Sequence, residues 1–185
     1  MADIKKELDR IKGRISDEIF LTNKGMSNEV GIHVFSYSPQ YELIVRDYID
    51  RLIDTRSEIY RIVKFDLFEI FIEILEDKRV LASVSSLEDK KGKEYLLTQL
   101  QKVVTQEAFI NKMKYEPHKI GDVLFITGVG KVYPFMRSHK LLESMQQVFF
   151  DVPIVLFYPG EFTGQSLNLF EKFHDENYYR AFNLL

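Results

Sequence analysis

The chain has 185 residues, 45% hydrophobic and 29% charged, which is enough for one domain with a substantial core and short for two. Its formal net charge of -3 gives no global attraction to nucleic acid or to an anionic membrane, so only a local basic patch could serve such contacts. Cysteine is absent, which excludes disulfides, thiolate metal sites and a cysteine nucleophile, and fits a reducing, cytoplasmic setting.

The N-terminal MADIKKELDRIKGRI lacks the apolar core of a signal peptide, and no apolar run approaches the ~18 residues of a membrane span. Neither internal repeat nor low-complexity tract interrupts the chain, so residues 1–185 read as a single α/β domain. Residues 3–19 form the first predicted helix, with Ile4, Leu8, Ile11, Ile15 and Ile19 on one face. TNKGMSN (22–28) is a turn, and VGIHVFSY (30–37) is apolar on both parities, as a strand covered on both faces would be. Ser38 and Pro39 then suit a helix start, and Tyr41, Ile44, Val45, Tyr48, Ile49 and Leu52 line one face of a helix to about Ile53.

IYRIVKF (59–65) is the second predicted strand, and Asp66 can cap the next helix, with Glu69 completing an aspartate version of the capping box. Residues 80–94 are partly loop, and one long amphipathic helix is expected over 93–113. DVLFITG (122–128) is a third strand, Pro134 opens a helix to about Phe149, and VPIVLFY (152–158) is a fourth strand. PGEFTGQS (159–166) reads as a loop and YYRAFNLL (178–185) as a fifth strand. Apolar strands alternating with helices imply a mostly parallel β-sheet flanked by helices on both faces, in three layers. Functional loops of such sheets gather at the carboxyl ends of the strands, here SYSPQ, KFDLFE, TGVGKVYP and YPGEFTGQS.

TGVGKVYP looks like a phosphate loop and fails the test. A Walker A loop needs GxxxxGK and then Ser or Thr, so that backbone N–H groups cradle phosphates, the lysine reaches the outer ones and the hydroxyl ligates Mg²⁺. Phe125 stands where the first glycine belongs, and Val132 where the hydroxyl belongs. The dinucleotide pattern fails as well, with Tyr133 at the third glycine. Two readings stay open: a glycine turn leaving a buried strand, or an anion site built on Gly128, Gly130, Lys131 and Arg137 with His139 and Lys140 nearby.

No other reactive pattern emerges. The four histidines show no zinc spacing, and His33, mid-strand, reads as a hydrogen-bonded core or interface residue. GQS at 164–166 is not a nucleophile elbow, because Asn168 stands where its second glycine belongs. Asp66 is accounted for by capping. Catalytic residues, cofactor ligands and metal ligands are therefore all expected to be none. In ENYYRAFNLL, Tyr179 and Phe182 read as core, while exposed aromatics and Arg180 are interface material or, alternatively, a stacking surface for single-stranded nucleic acid.

The run FITGVGKVYPFMRSHKLLESMQQVFFDVPIVLFYPGEFTGQSLNLFEKFHDENYYRAF resembles the BrxB family of BREX bacteriophage-defence systems. The resemblance rests on TGVG, P-x-x-R-S-H, the D-x-P-x-V-x-F-x-PG strand and turn, GQSLxLF and NYYRAF in that order. It implies a non-catalytic accessory protein in an assembly with an AAA-type ATPase, a DNA methyltransferase and a PglZ-type protein of the alkaline-phosphatase superfamily. The PglZ-type protein is the expected partner, and DNA is touched indirectly if at all. Gly128 to Gly130, Arg137 to His139, Pro159-Gly160, Gly164 to Leu167 and Tyr178 to Phe182 are the matched positions, with fold or contact roles. Candidate contacts are Tyr133, Arg137, His139, Glu161, Phe162, Gln165, Tyr178 and Arg180. By analogy, the scaffold resembles a nucleotide-binding fold without an intact phosphate loop. The alternative is a degenerate nucleotide or nucleic-acid binder using the anion site. A nuclease built on scattered carboxylates is a third option for which no motif appears.

Overall fold

Strands that are apolar on both parities need cover on both faces, and that requirement organises the molecule. The computed structural model describes residues 2–22, 31–174 and 179–185. Its elements run α1 (Ala2–Ile15), α2 (Glu18–Leu21), β1 (Ile32–Tyr37), α3 (Glu42–Asp54), β2 (Arg61–Asp66), α4 (Leu67–Asp77), α5 (Val84–Lys91), α6 (Lys93–Val103) and α7 (Gln106–Met113). They continue with β3 (Asp122–Thr127), α8 (Val129–Val132), α9 (Ser138–Val148), β4 (Ile154–Phe162), β5 (Leu167–Leu169), β6 (Phe173–His174) and β7 (Phe182–Asn183).

The sheet order is β2-β3-β4-β1-β7, every neighbouring pair along it parallel, and β5 and β6 extend β4 as an antiparallel hairpin. Register fixes the two faces. Ile32 and Val34 align with Ile154 and Leu156, and with Leu124 and Ile126 beyond them they point into one core, together with α4, α6, α7 and α9. Phe35, Val123, Phe125, Val155 and Phe157 point the other way, under α1 and α3. The expected three-layer parallel α/β architecture is the one found.

Several elements differ from expectation for local reasons. The first helix stops at Ile15, because the Asp17 side chain accepts from the Ile19 N–H and starts a new turn. Ile19, expected in the core, is consequently 64% exposed. The helix expected over 93–113 breaks after Val103, where Thr105 caps α7 by accepting from Ala108 N–H. Pro134 does not open a helix. Gly128, at φ 76°, turns the chain off β3 straight into α8, and Tyr133 is then extended, as a residue before proline prefers. The next helix begins at Ser138.

Two further stretches also depart. Residues 159–162, expected as loop, prolong β4, and Thr163 N–H closes the hairpin on Ser166 C=O. The last strand is only Phe182–Asn183, because Tyr179 N–H bonds to Gln165 C=O and not to β1. Tyr179 is buried as expected, but Phe182 is 39% exposed. Most of the expected turn at 22–28, and Val30, fall outside the described residues.

Candidate functional site

Three clusters of polar side chains sit at the ends of the parallel strands. The first gathers KFDLFE and TGVGKVYP. Asp66 accepts from the Phe68 and Glu69 N–H groups at the start of α4, from Thr127 Oγ1 at 3.2 Å and from Lys131 Nζ at 3.0 Å. Burial alone would raise the Asp66 carboxyl, but Lys131 and the two backbone N–H groups outweigh it and hold the group below its ordinary range. Every lone pair has a donor, so this carboxylate serves as a cap and clamp and is poorly placed to act as a base. Gly128 lies against it: a Cβ there would fall within contact distance of the carboxylate. Gly130 is likewise a packing glycine, where a Cβ would lie 2.8 Å from the Phe170 ring. The Lys131 side chain assigned to an anion site therefore already rests on a carboxylate.

The second cluster closes the opposite end of the sheet. Asp122 accepts from Arg61 Nε at 2.7 Å and from its Nη2, from Tyr115 Oη at 3.1 Å and from Lys119 N–H at 3.0 Å. Burial works against its charge, and those donors, Arg61 foremost, leave its carboxyl below the usual range. Sequence reasoning did not find this pair, because Arg61 and Asp122 meet only through the parallel register of β2 on β3.

The third lies where ligands of such sheets usually bind. Connections leaving β1 and β3 go to opposite faces, so the topological switch falls beside β4, between them. The crevice there, about 590 Å³, is lined by Ser36, Tyr37, Ser38 and Gly160 together with three carboxylates, Glu7, Glu161 and Glu171. Among the described residues none that is basic lines it. Beside it Tyr37 Oη donates to Glu42 at 2.6 Å, and burial first, then Glu42, push that phenol well above its ordinary range. A phosphate would meet repulsion here. Among the described residues no group of three or more His, Cys, Asp or Glu could hold a metal ion.

The expected contact residues divide. Tyr133 and Arg137 line one hollow of about 310 Å³, and His139 and Arg180 line another of about 460 Å³, with Tyr179 forming part of both. Phe162 is 7% exposed and belongs to the core, which removes it from any contact surface. Glu161 is exposed, lines the acidic crevice and accepts from Asn168 Nδ2 at 3.4 Å. Gln165 holds Tyr179 through its backbone carbonyl. Tyr178 lies outside the described residues. Lys172 and Phe173, missed in the sequence, complete the first hollow, the Phe173 ring 5.0 Å from that of Tyr133. His33 is buried with the Phe20 ring 4.7 Å away, but its Nδ1 has no hydrogen-bond partner among the described residues, contrary to expectation.

The family described as "BREX protein BrxB" matches residues 63–184. A protein named BREX protein BrxB from Bacillus cereus (strain H3081.97) is 38% identical over 192 aligned residues, covering 100% of this chain and 99% of that protein. Another of the same name from Escherichia coli O9:H4 (strain HS) is 31% identical, covering 98% of this chain and 92% of its own length. No solved structure matches significantly. On the family match and two full-length relatives, the chain belongs to the BrxB family of BREX proteins.

Proposed function

We propose that this chain is a non-catalytic docking subunit of a cytoplasmic BREX phage-defence assembly, and that its direct partner is the PglZ-type protein of that assembly. The observation that carries the reading is the saturation of the carboxylates at the strand ends. Asp66 and Asp122 each accept four or more hydrogen bonds from within the chain, leaving neither poised for proton transfer. The crevice at the switch point bears carboxylates where a nucleotide would need cations. Cations and aromatic rings instead collect around Tyr179, on the outer surface.

Co-expression with the tagged PglZ-type protein tests this directly. The two should co-purify in fixed ratio, and the isolated chain should show no turnover of nucleotides or nucleic acid with added Mg²⁺. Separate elution would count against the partner, and turnover abolished by one substitution would count against the non-catalytic role. The competing anion site at Lys131 and Arg137 requires Lys131 to leave Asp66. Calorimetry with ATP and Mg²⁺ should therefore give no heat that Lys131→Ala removes.

A further inference from the structure

The backbone around Tyr179 is fixed at both ends. Tyr179 N–H donates to Gln165 C=O at 2.9 Å, and Leu184 N–H donates to Val34 C=O at 3.0 Å. Both anchoring side chains are buried, Tyr179 at 5% and Leu184 at 2% exposure. Arg180 is exposed between these anchors, so it is presented from ordered main chain and loses little freedom on binding.

Two hollows share Tyr179 in their lining. One carries the exposed cations Arg137 and Lys172 against the Tyr133 and Phe173 rings. The other carries Arg180 and His139, with Glu143 as its carboxylate. Some cations of the chain lie on carboxylates, with Lys131 on Asp66, Arg61 on Asp122, Lys64 on Asp50, and Lys112 on Glu73 and Asp77. Among the described residues no ion pair engages Arg137, Lys172 or Arg180. In a chain of net charge -3, the described lining around this buried tyrosine carries three cations, Arg137, Lys172 and Arg180, against one carboxylate, Glu143, a local inversion of charge.

We infer that the trough formed by the two hollows beside Tyr179 docks an acidic, aromatic-bearing segment of a partner protein. This rests on the docking reading and names the surface and chemistry it uses. Carboxylates of the segment meet Arg137, Lys172 and Arg180, and bulky side chains fill hollows of about 310 and 460 Å³. A nucleic-acid strand fits less well. Its affinity comes from many phosphates on continuous positive potential, whereas this trough holds Glu143 and the chain is acidic overall.

Fluorescence anisotropy with a labelled peptide of alternating Glu and Tyr tests the trough. A Lys-Tyr peptide and a single-stranded DNA oligonucleotide of equal length serve as comparisons. The acidic peptide should bind best, and Arg137→Glu/Arg180→Glu should weaken it by at least about tenfold. Lys90→Glu/Lys91→Glu, the same charge change on the exposed surface of α5, should leave it unchanged. Thermal melting of each variant checks that it folds. No binding of the acidic peptide, equal or tighter binding of DNA, or indifference to the double reversal overturns the proposal. The intact PglZ-type protein supplies the second arm. If it binds the native chain and the double reversal equally, the trough is wrong and docking stands. If it ignores the native chain while the peptide binds at the trough, the partner is wrong and the trough stands.

Discussion

Removing the Asp66 carboxylate should unseat two loops together. Asp66→Ala deletes the cap of α4, which costs about 1 kcal/mol. It also takes the acceptor from the Thr127 hydroxyl, whose residue is 5% exposed, for a further penalty of about 1–3 kcal/mol. Lys131, with its side chain 34% exposed, can turn to water, so loss of that pair contributes at most about 1 kcal/mol. The total is about 3 kcal/mol, or roughly 6–12 °C in melting temperature for a chain of this size. Gly128→Ala should cost a similar amount, from a side chain at φ 76° and from displacement of the same carboxylate. The displacement disappears when the carboxylate is absent. The double variant should thus be less destabilised than the sum of the two, by about 1–2 kcal/mol. Urea unfolding of the parent, both singles and the double measures this coupling. Strict additivity, or an Asp66→Ala effect within about 0.5 kcal/mol, would refute the clamp.

Other outcomes follow from the same geometry. Asp122→Ala takes the acceptor from the half-buried Tyr115 hydroxyl and from Lys119 N–H and frees Arg61, half of whose side chain already sees solvent, so urea unfolding should show a loss of about 1–2 kcal/mol. Gly160→Ala would drive a Cβ into the Asn168 carbonyl and open the β4–β5 hairpin, lowering stability by about 1–3 kcal/mol in the same assay. Burial foremost, with the Arg14 charge nearby, holds His33 down at about 4 against an ordinary 6.5. The folded chain therefore binds this proton more weakly than the unfolded chain, and the stability involved is complete above pH 6.5 and lost as pH falls through 4. Between pH 7 and pH 5 the loss is about 2 kcal/mol, and His33→Phe should flatten that part of the profile.

The strands were legible because both-face burial leaves apolar residues on both parities, which β3 and the first half of β4 display. The Asp66 cap was legible because capping is a local contact. The break at Thr105 was not, since α6 and α7 bury their stripes in one core and the pattern runs on across it. The Asp66–Lys131 and Arg61–Asp122 pairs join residues 65 and 61 positions apart, set by strand register that no periodicity records. Around Tyr179, the sequence exposed Tyr133, Arg137, His139 and Arg180 as chemistry worth noting. It could not bring Lys172 and Phe173 beside them, because that juxtaposition depends on where the hairpin after β4 folds back.

Sedimentation velocity of this chain mixed with the PglZ-type protein at micromolar concentration tests the docking role most directly. One faster boundary containing both chains is predicted, reverting to separate boundaries with Arg137→Glu/Arg180→Glu. Two independent boundaries for the native pair would contradict it.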